Sequence, residues 1–105
     1  MKRGDVVELR LPKGVGHEQR GHRYGVVVQS DVMLPRSVVL IAPTSTSAKD
    51  STFRPEVEIR GERTKILVEQ LTALDVSRLG KRVAHLEGEA MWGIDDALNT
   101  VLGLR

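Results

Sequence analysis

The sequence lacks cysteine and any long apolar run, and each absence excludes a class of protein. With no cysteine, disulfide bonds and thiolate metal sites are ruled out. No apolar run approaches the roughly 20 residues of a membrane-spanning helix. The N-terminal sequence MKRGDVVELR carries charges where a secretory signal peptide has its apolar segment. We therefore expect a cytoplasmic protein with no membrane partner.

Aromatic residues are also scarce, at 3% of the chain, and consist of Tyr24, Phe53 and Trp92. A protein that binds single-stranded nucleic acid mainly by stacking bases needs more aromatic side chains than this. Any binding of nucleic acid must therefore depend on charge and hydrogen bonds, with at most one or two stacked bases.

The composition is otherwise that of an ordinary globular protein of 105 residues, with 40% apolar and 29% charged residues. We expect one domain over residues 1–105. The net charge is only +2, but residues 10–23 are locally basic, with one carboxylate at Glu18. Such a segment is typical of a surface that attracts phosphate groups, although a loop kept soluble by its charges has the same composition.

Apolar and β-branched runs predict short strands over residues 5–11, 23–30, 37–42, 54–60, 64–69 and 81–86. Residues 12–22 read as a long glycine-containing loop, and Pro43 is expected to end the third strand before a hydroxyl-rich turn over 44–50. A turn at 61–62 is expected to join the fourth and fifth strands, and Asp75 to cap one helical turn over 75–79.

One helix is predicted over residues 89–102, because Met91, Ile94, Leu98 and Val101 recur at helical spacing and Gly103 can end the helix. Trp92 lies off this apolar stripe, which suggests a subunit interface. The fold class is therefore α+β: short antiparallel strands forming a small barrel or a strongly bent sheet, followed by a C-terminal helix.

Residues 16–23 read GHEQRGHR and follow Arg3-Gly4-Asp5 near the N-terminus. Together these residues resemble the signature of the MazF/PemK/Kid family of bacterial toxins. Three later blocks resemble the same family: a valine-rich strand at 26–28 before an apolar strand ending in Pro43-Thr44-Ser45, the segment 69–75 with sequence EQLTALD, and the helix with its GL ending at 103–104. The resemblance covers nearly the whole chain in the correct order.

The resemblance implies an SH3-like, CcdB-like barrel and a sequence-specific endoribonuclease that inhibits translation and growth. In this family the ribose 2′-hydroxyl attacks the adjacent phosphate of single-stranded RNA, which leaves 2′,3′-cyclic phosphate and 5′-hydroxyl ends. The reaction needs no metal or other cofactor. The implied partners are single-stranded RNA, a second copy of the chain and a cognate antitoxin whose acidic C-terminal tail blocks the RNA groove.

Four residues carry the catalytic roles that the resemblance implies. Arg23 is expected to bind the phosphoryl oxygens, because a guanidinium stays charged and offers a planar fork of donors. Ser45 is expected to donate to the phosphate or the leaving oxygen, although Thr44 or Thr46 can occupy that register. His17 and Glu18 are candidates for acid and base. The alternatives are structural: a strand-edge salt bridge for Arg23, a turn hydroxyl for Ser45, and mobile loop contacts for His17 and Glu18.

Further residues are predicted to contact RNA, with basic side chains on the backbone and Gln or Glu on base edges. They are Lys13, Gln19, Arg20, Thr44, Thr46, Lys49, Arg54, Glu69 and Gln70. Tyr24 replaces the usual proline of the signature, and Ser45 replaces the usual threonine. Leu67 stands where some relatives have an arginine, so a mechanism with that arginine as general acid does not transfer to this chain.

Two other functions remain open from the sequence. CcdB-like gyrase poisons share the expected fold, and residues 91–94 (MWGI) are similar to their Trp-Gly-Ile tail, but here the motif lies inside the predicted helix. A non-catalytic barrel that binds nucleic acid or a peptide is the second alternative.

Overall fold

The computed structural model describes residues 1–10 and 23–104. Seven strands and one helix make up these ranges. They are β1 Asp5–Leu9, β2 Tyr24–Val27, β3 Val38–Ser45, β4 Glu56–Ile59, β5 Glu62–Ile66, β6 Thr72–Asp75, β7 Leu79–His85 and α1 Glu89–Leu102. Single 3-10 turns at Asp31–Met33, Val68–Gln70 and Val76–Arg78 join some of them.

All strand pairs are antiparallel, and the sheet has the order β4-β5-β3-β2-β1-β7. β3 is the longest strand and also pairs with β6, in antiparallel register, through its N-terminal part. Because β5 pairs with the C-terminal end of β3 and β6 with its N-terminal end, the sheet must curl around this strand. The predicted α+β architecture, a curled antiparallel sheet with one C-terminal helix, is confirmed.

The two faces of the sheet bury separate apolar clusters, because successive side chains of a strand point to opposite faces. Val6, Val26 and Ala42 share one cluster with the buried side of α1. Val7, Val27 and Ile41 belong to the second cluster, on the face away from α1. Both sides of the central strands are therefore packed, which holds their ends in fixed positions.

Helix α1 has the bounds that the sequence predicts. Met91, Ile94 and Ala97 are buried, and Gly103 adopts the left-handed conformation (φ 70°) that ends the helix. Arg3 fastens the helix to the sheet, since its guanidinium binds Asp95 at 2.6 Å and donates to the carbonyl of Val28 at 2.8 Å. No helix in the described ranges combines the length and apolarity needed to cross a membrane.

The predicted end of the third strand at Pro43 is wrong, because β3 continues to Ser45. Pro43 lacks an N–H, but its carbonyl accepts from the N–H of Leu67 at 2.8 Å, so it still joins the ladder as an acceptor. Thr44 and Ser45 consequently belong to the strand rather than to the predicted turn.

Other predicted boundaries shift by a few residues. The fourth-to-fifth strand turn lies at Arg60 and Gly61, both with positive φ, and β5 ends at Ile66 before the 3-10 turn Val68–Gln70. The short strand β6 is not predicted by the sequence. Asp75 caps the following turn by accepting from the N–H of Ser77 at 2.9 Å, as predicted. The predicted loop 12–22 lies outside the described residues.

Candidate active site

The beginning of β2 and the end of β3 lie side by side, and this is where Arg23 and Ser45 meet. The register pairs Gly25 with Pro43, and the Thr44 hydroxyl donates to the carbonyl of Tyr24 at 3.2 Å, one residue further along. Continuing the same register by one more residue places Arg23 opposite Ser45. Directly opposed residues in an antiparallel pair project from the same face, which here is the face away from α1.

Arg23 is half-buried and fixed through its backbone, because its carbonyl accepts from the N–H of Leu9 at 2.9 Å. Its side-chain Nε is buried and has no hydrogen-bond partner among the residues that the structure describes. A buried donor without an acceptor is energetically costly. An anion that accepts a hydrogen bond from this Nε would therefore be bound favourably.

The Ser45 hydroxyl orders the turn after β3 as an acceptor and keeps its own hydrogen available for donation. Its Oγ accepts from the N–H groups of Ser47 at 3.2 Å and Ala48 at 3.0 Å, so the hydroxyl oxygen is oriented by the backbone that follows β3. The hydroxyl hydrogen can still be donated, either to the Ser47 hydroxyl 3.4 Å away or to a ligand. Ser45 is thus suited to donate a hydrogen bond to a phosphate.

The neighbouring hydroxyls are placed differently. Thr44 is 6% exposed and its hydroxyl is used inside the sheet by Tyr24, whereas Thr46 is exposed on the turn. Among the three hydroxyls that the sequence left as alternatives, Ser45 is the one opposite Arg23.

Arg54 and Glu69 form a second polar group beside β3. The Nε and Nη2 atoms of Arg54 both donate to Oε2 of Glu69, at 3.0 and 2.6 Å, and Nη1 donates to the carbonyl of Lys49 at 3.1 Å. The guanidinium also lies 5.9 Å from the centre of the Phe53 ring. The hydrogen bonds from Arg54 outweigh burial and lower the pKa of Glu69, so this carboxylate stays ionised near neutral pH.

The other carboxylate oxygen of Glu69, Oε1, is buried and has no hydrogen-bond partner within the described ranges. Glu69 belongs to the turn Val68–Gln70, which is held against β3 by the hydrogen bond from Leu67 to Pro43. Arg23 and Glu69 therefore lie on opposite sides of the C-terminal end of β3. Two further predicted RNA contacts are exposed: Gln70, which follows Glu69, and Lys49, five residues before Arg54.

Lys65 is a site residue that sequence reasoning missed. It pairs with Ser45 across β3 and β5, and its ammonium binds Asp50 at 3.0 Å and Glu56 at 3.2 Å. The alternation of β5 (ERTKI) could have placed it in the sheet, but nothing in the sequence pairs it with residue 45. Its charge is already matched by two carboxylates, so it contributes to the rigidity of this strand end.

The remaining predicted site residues fall on the part of the chain that the structure does not describe. These are Lys13, His17, Glu18, Gln19 and Arg20. In the described ranges, no group of three or more His, Asp or Glu side chains is arranged to hold a metal ion.

Comparison with known proteins identifies relatives along the full chain. A family model described as PemK-like, MazF-like toxin of type II toxin-antitoxin system matches residues 2–102. A Mycobacterium tuberculosis protein named as a toxin is 43% identical over 90 residues, which cover 85% of this chain and 84% of that protein. Endoribonuclease EndoA of Bacillus subtilis is 33% identical over 111 residues, covering 99% of this chain and 96% of EndoA.

Solved structures show the same fold. An endoribonuclease in complex with its cognate antitoxin, from a mycobacterial species, has a TM-score of 0.82 at 18% identity and covers 100% of this chain and 97% of its own. A MazE–MazF structure from Deinococcus radiodurans has a TM-score of 0.75 at 23% identity, with coverage of 100% and 97%. By the family match and the identity to the two sequence relatives, the chain belongs to the PemK-like, MazF-like toxins of type II toxin–antitoxin systems.

Proposed function

We propose that this protein is a toxin that cleaves single-stranded RNA at short sequence motifs, without a metal, and so inhibits translation and growth in the cytoplasm. Membership of the toxin family supports this, as does the name of the relative EndoA, an endoribonuclease. The observation that carries the proposal is the buried, unpartnered Nε–H of Arg23 opposite the Ser45 hydroxyl, within the described residues.

The proposed reaction is an intramolecular transesterification. The ribose 2′-oxygen forms a bond to phosphorus while the bond from phosphorus to the 5′-oxygen breaks, which gives a 2′,3′-cyclic phosphate and a 5′-hydroxyl. Negative charge builds on the phosphoryl oxygens in the transition state, and Arg23 donates to them from a fixed, half-buried position. DNA lacks the attacking hydroxyl, so the chemistry itself selects RNA.

Two protons must move, one from the 2′-hydroxyl to a base and one to the leaving 5′-oxygen. His17 and Glu18 are our candidates for these roles, since a histidine titrates near neutral pH and a carboxylate accepts a proton. Ser45 donates a hydrogen bond to a phosphoryl or leaving oxygen, because its lone pairs are already oriented by two backbone N–H groups.

RNA lies, in this proposal, across the C-terminal end of β3 and the basic segment before β2. Lys13, Arg20, Lys49 and Arg54 face the backbone charge, whereas Gln19, Glu69 and Gln70 meet base edges, and Thr46 adds an exposed hydroxyl. Thr44 does not contact RNA in this proposal and instead stabilises the pairing of β2 and β3, since its hydroxyl donates to the carbonyl of Tyr24.

The proposed partners are a second copy of the chain and an antitoxin with an acidic C-terminal tail. Two of the solved structures with this fold are an endoribonuclease with its cognate antitoxin and a MazE–MazF pair. An acidic peptide and an RNA backbone are both anionic, so both suit a basic groove and are expected to compete for it.

The geometry of α1 disfavours a CcdB-like gyrase poison. Met91 and Ile94 of the MWGI motif are packed in the core, so this motif is not a free tail. Trp92 alone is exposed, at 66%.

The test is cleavage of end-labelled single-stranded RNA in excess chelator, with analysis of the product ends. We expect full activity and a 2′,3′-cyclic phosphate. Loss of activity that added Mg²⁺ restores, or products with a 5′-phosphate, would reject the proposed chemistry. A chain that leaves RNA intact and binds it in both conditions would instead support the non-catalytic barrel.

A further inference from the structure

The carboxylate of Glu69 is asymmetric. Both hydrogen bonds from Arg54 go to Oε2, whereas Oε1 is buried and accepts no hydrogen bond of good geometry among the described residues. The Gln70 side chain and the backbone of Glu69 itself still contribute to lowering the pKa of this carboxyl. A buried charged oxygen without a donor is costly, so the site gains free energy when a ligand supplies an N–H there. A ligand that places a carbonyl oxygen there gains nothing and is repelled by the charge.

The pair is held rigidly yet remains reachable. Arg54 is anchored by the Lys49 carbonyl at 3.1 Å and lies beside the Phe53 ring, which fixes the carboxylate in one position. The side chains of Arg54 and Glu69 are 22% and 24% exposed.

The pair lies across β3 from the proposed scissile phosphate. β3 separates Arg23, at the start of β2, from the turn Val68–Gln70 that follows β5. Two strand spacings amount to about 10 Å, a separation that a phosphate and a base of one short RNA segment can bridge.

We propose that Glu69 is a specificity-determining residue that reads one RNA base through an exocyclic amino group, with Arg54 as its positioning residue. The inference rests on the proposed RNA cleavage. A carboxylate accepts from the amino group of cytosine in direct base readout. Adenine and guanine also carry an exocyclic amino group on the pairing edge, which in guanine lies beside the N1–H donor, whereas uracil has no amino group. The position read by Glu69 therefore takes an amino-bearing base and discriminates against uracil.

The experiment cleaves a randomised RNA pool with the purified protein and sequences the product ends. For the wild-type protein we expect one position near the cut with about a tenfold preference for the amino-bearing bases over uracil, the size of effect typical of one base contact. In Glu69→Gln the amide offers an N–H to carbonyl-bearing bases as well, so the preference at that position should fall to about threefold or less. Preferences at other positions should persist.

Asp95→Asn is the matched control. Asp95 is also a carboxylate bound by an arginine, Arg3, but it lies on α1, away from the face that carries Arg23 and Ser45. We expect its cleavage profile to equal that of the wild type. Arg54→Lys keeps the charge but loses the two hydrogen bonds to Oε2. It should therefore weaken the same base preference as Glu69→Gln without creating a new one.

A substrate change keeps the test decisive if a variant fails to fold. Replacing the adenine at the read position by purine riboside, which lacks the amino group, should slow wild-type cleavage about tenfold and leave Glu69→Gln nearly unaffected. An active wild-type enzyme that is indifferent to this replacement overturns the base-reading role alone. Equal loss of cleavage at all sites in Glu69→Gln also overturns it, whereas a wild-type protein that cleaves no RNA overturns the proposed function itself.

Discussion

The Thr44 hydroxyl donates to the backbone carbonyl of Tyr24 at 3.2 Å, across the pair of strands that carries the candidate active site. This bond continues the register of β2 and β3 past Gly25 and Pro43, and one further step brings Arg23 opposite Ser45. Two adjacent hydroxyls therefore have different tasks: Thr44 holds the strands together, and Ser45 is available to the substrate.

Thr44→Val and Ser45→Ala should separate these tasks. Thr44→Val removes a buried hydrogen bond at nearly constant volume, so we expect a loss of about 1 kcal/mol in the free energy of unfolding. Ser45→Ala removes the acceptor of two backbone N–H groups in the turn, so it should cost a similar amount of stability. It should also lower the RNA cleavage rate by at least about tenfold, because a donor to the reacting phosphate is lost. Urea denaturation and cleavage rates measured on both variants check this. A Ser45→Ala protein with wild-type cleavage would remove Ser45 from the mechanism.

Gly25 lies where β2 is packed too closely against its neighbours for a side chain. A Cβ built there would lie 2.3 Å from the Cγ2 of Ile41 and 3.0 Å from the Cδ2 of Leu9. Gly25→Ala must therefore push β2 away from its neighbours. We expect a loss of about 1–3 kcal/mol in stability and weaker cleavage, because Arg23 lies two residues away.

Gly61→Ala is the counterpart for Gly25→Ala, since nothing lies within 4 Å of a Cβ at Gly61, but its φ of 83° makes that change strained for a different reason. Its loss of stability should leave the cleavage rate of the folded protein unchanged. If Gly25→Ala behaved the same way, the close packing of β2 would have no part in positioning the site.

Asp5 gives the fold a defined dependence on pH. Burial raises the pKa of this carboxyl, but the N–H of Lys2, His85 and Arg82 together outweigh burial, so the pKa is lowered. A carboxyl whose pKa is lower in the folded state stabilises the fold above its unfolded pKa, about 3.9, and this contribution is lost as the pH falls through the folded pKa. Unfolding free energies should therefore decrease below about pH 4.

Asp5→Asn should remove that part of the pH dependence and lower stability by about 2 kcal/mol at neutral pH, as expected for hydrogen bonds to a charged group. Denaturation curves between pH 3 and pH 7 measure both effects. An identical pH slope in the variant and the wild type would show that Asp5 is not responsible.

Antitoxin and RNA should exclude each other. Since both are anionic and both are proposed to bind the basic surface beside Arg23, saturating acidic peptide from the cognate antitoxin tail should abolish the heat of RNA binding in calorimetry. The calorimetric titration uses an uncleavable RNA with a 2′-deoxy nucleotide at the cut. Simultaneous binding of both ligands would contradict a shared groove.

The sequence predicted local features well where one signal dominates. The helix α1 was predicted with its correct bounds because the apolar spacing and Gly103 agree, and the Asp75 cap follows from its own side chain. Pro43 led to a wrong end for the third strand. A proline can lie within a strand where only its carbonyl is needed as an acceptor, as it is here for Leu67. The strand β6 was missed because four residues of mixed character carry little pattern.

The candidate site shows the same division. Arg23 was predicted from its motif, but the choice of Ser45 over Thr44 required the register of two strands. The pairing of Arg54 with Glu69 joins residues 15 positions apart, and the unpartnered oxygen of Glu69 exists only once the chain is folded. Contacts of this kind depend on the curl of the sheet around β3, which cannot be predicted from the local sequence pattern.

The central role of Arg23 is tested most directly by the single-turnover rate of RNA cleavage in Arg23→Ala and Arg23→Lys, with folding verified by circular dichroism. We predict a fall of about 100- to 1000-fold for Arg23→Ala, the usual effect of losing one donor to a charged transition state. Arg23→Lys should recover only part of it, because an ammonium cannot reproduce the guanidinium fork. A folded Arg23→Ala protein that cleaves RNA at the wild-type rate would contradict the account.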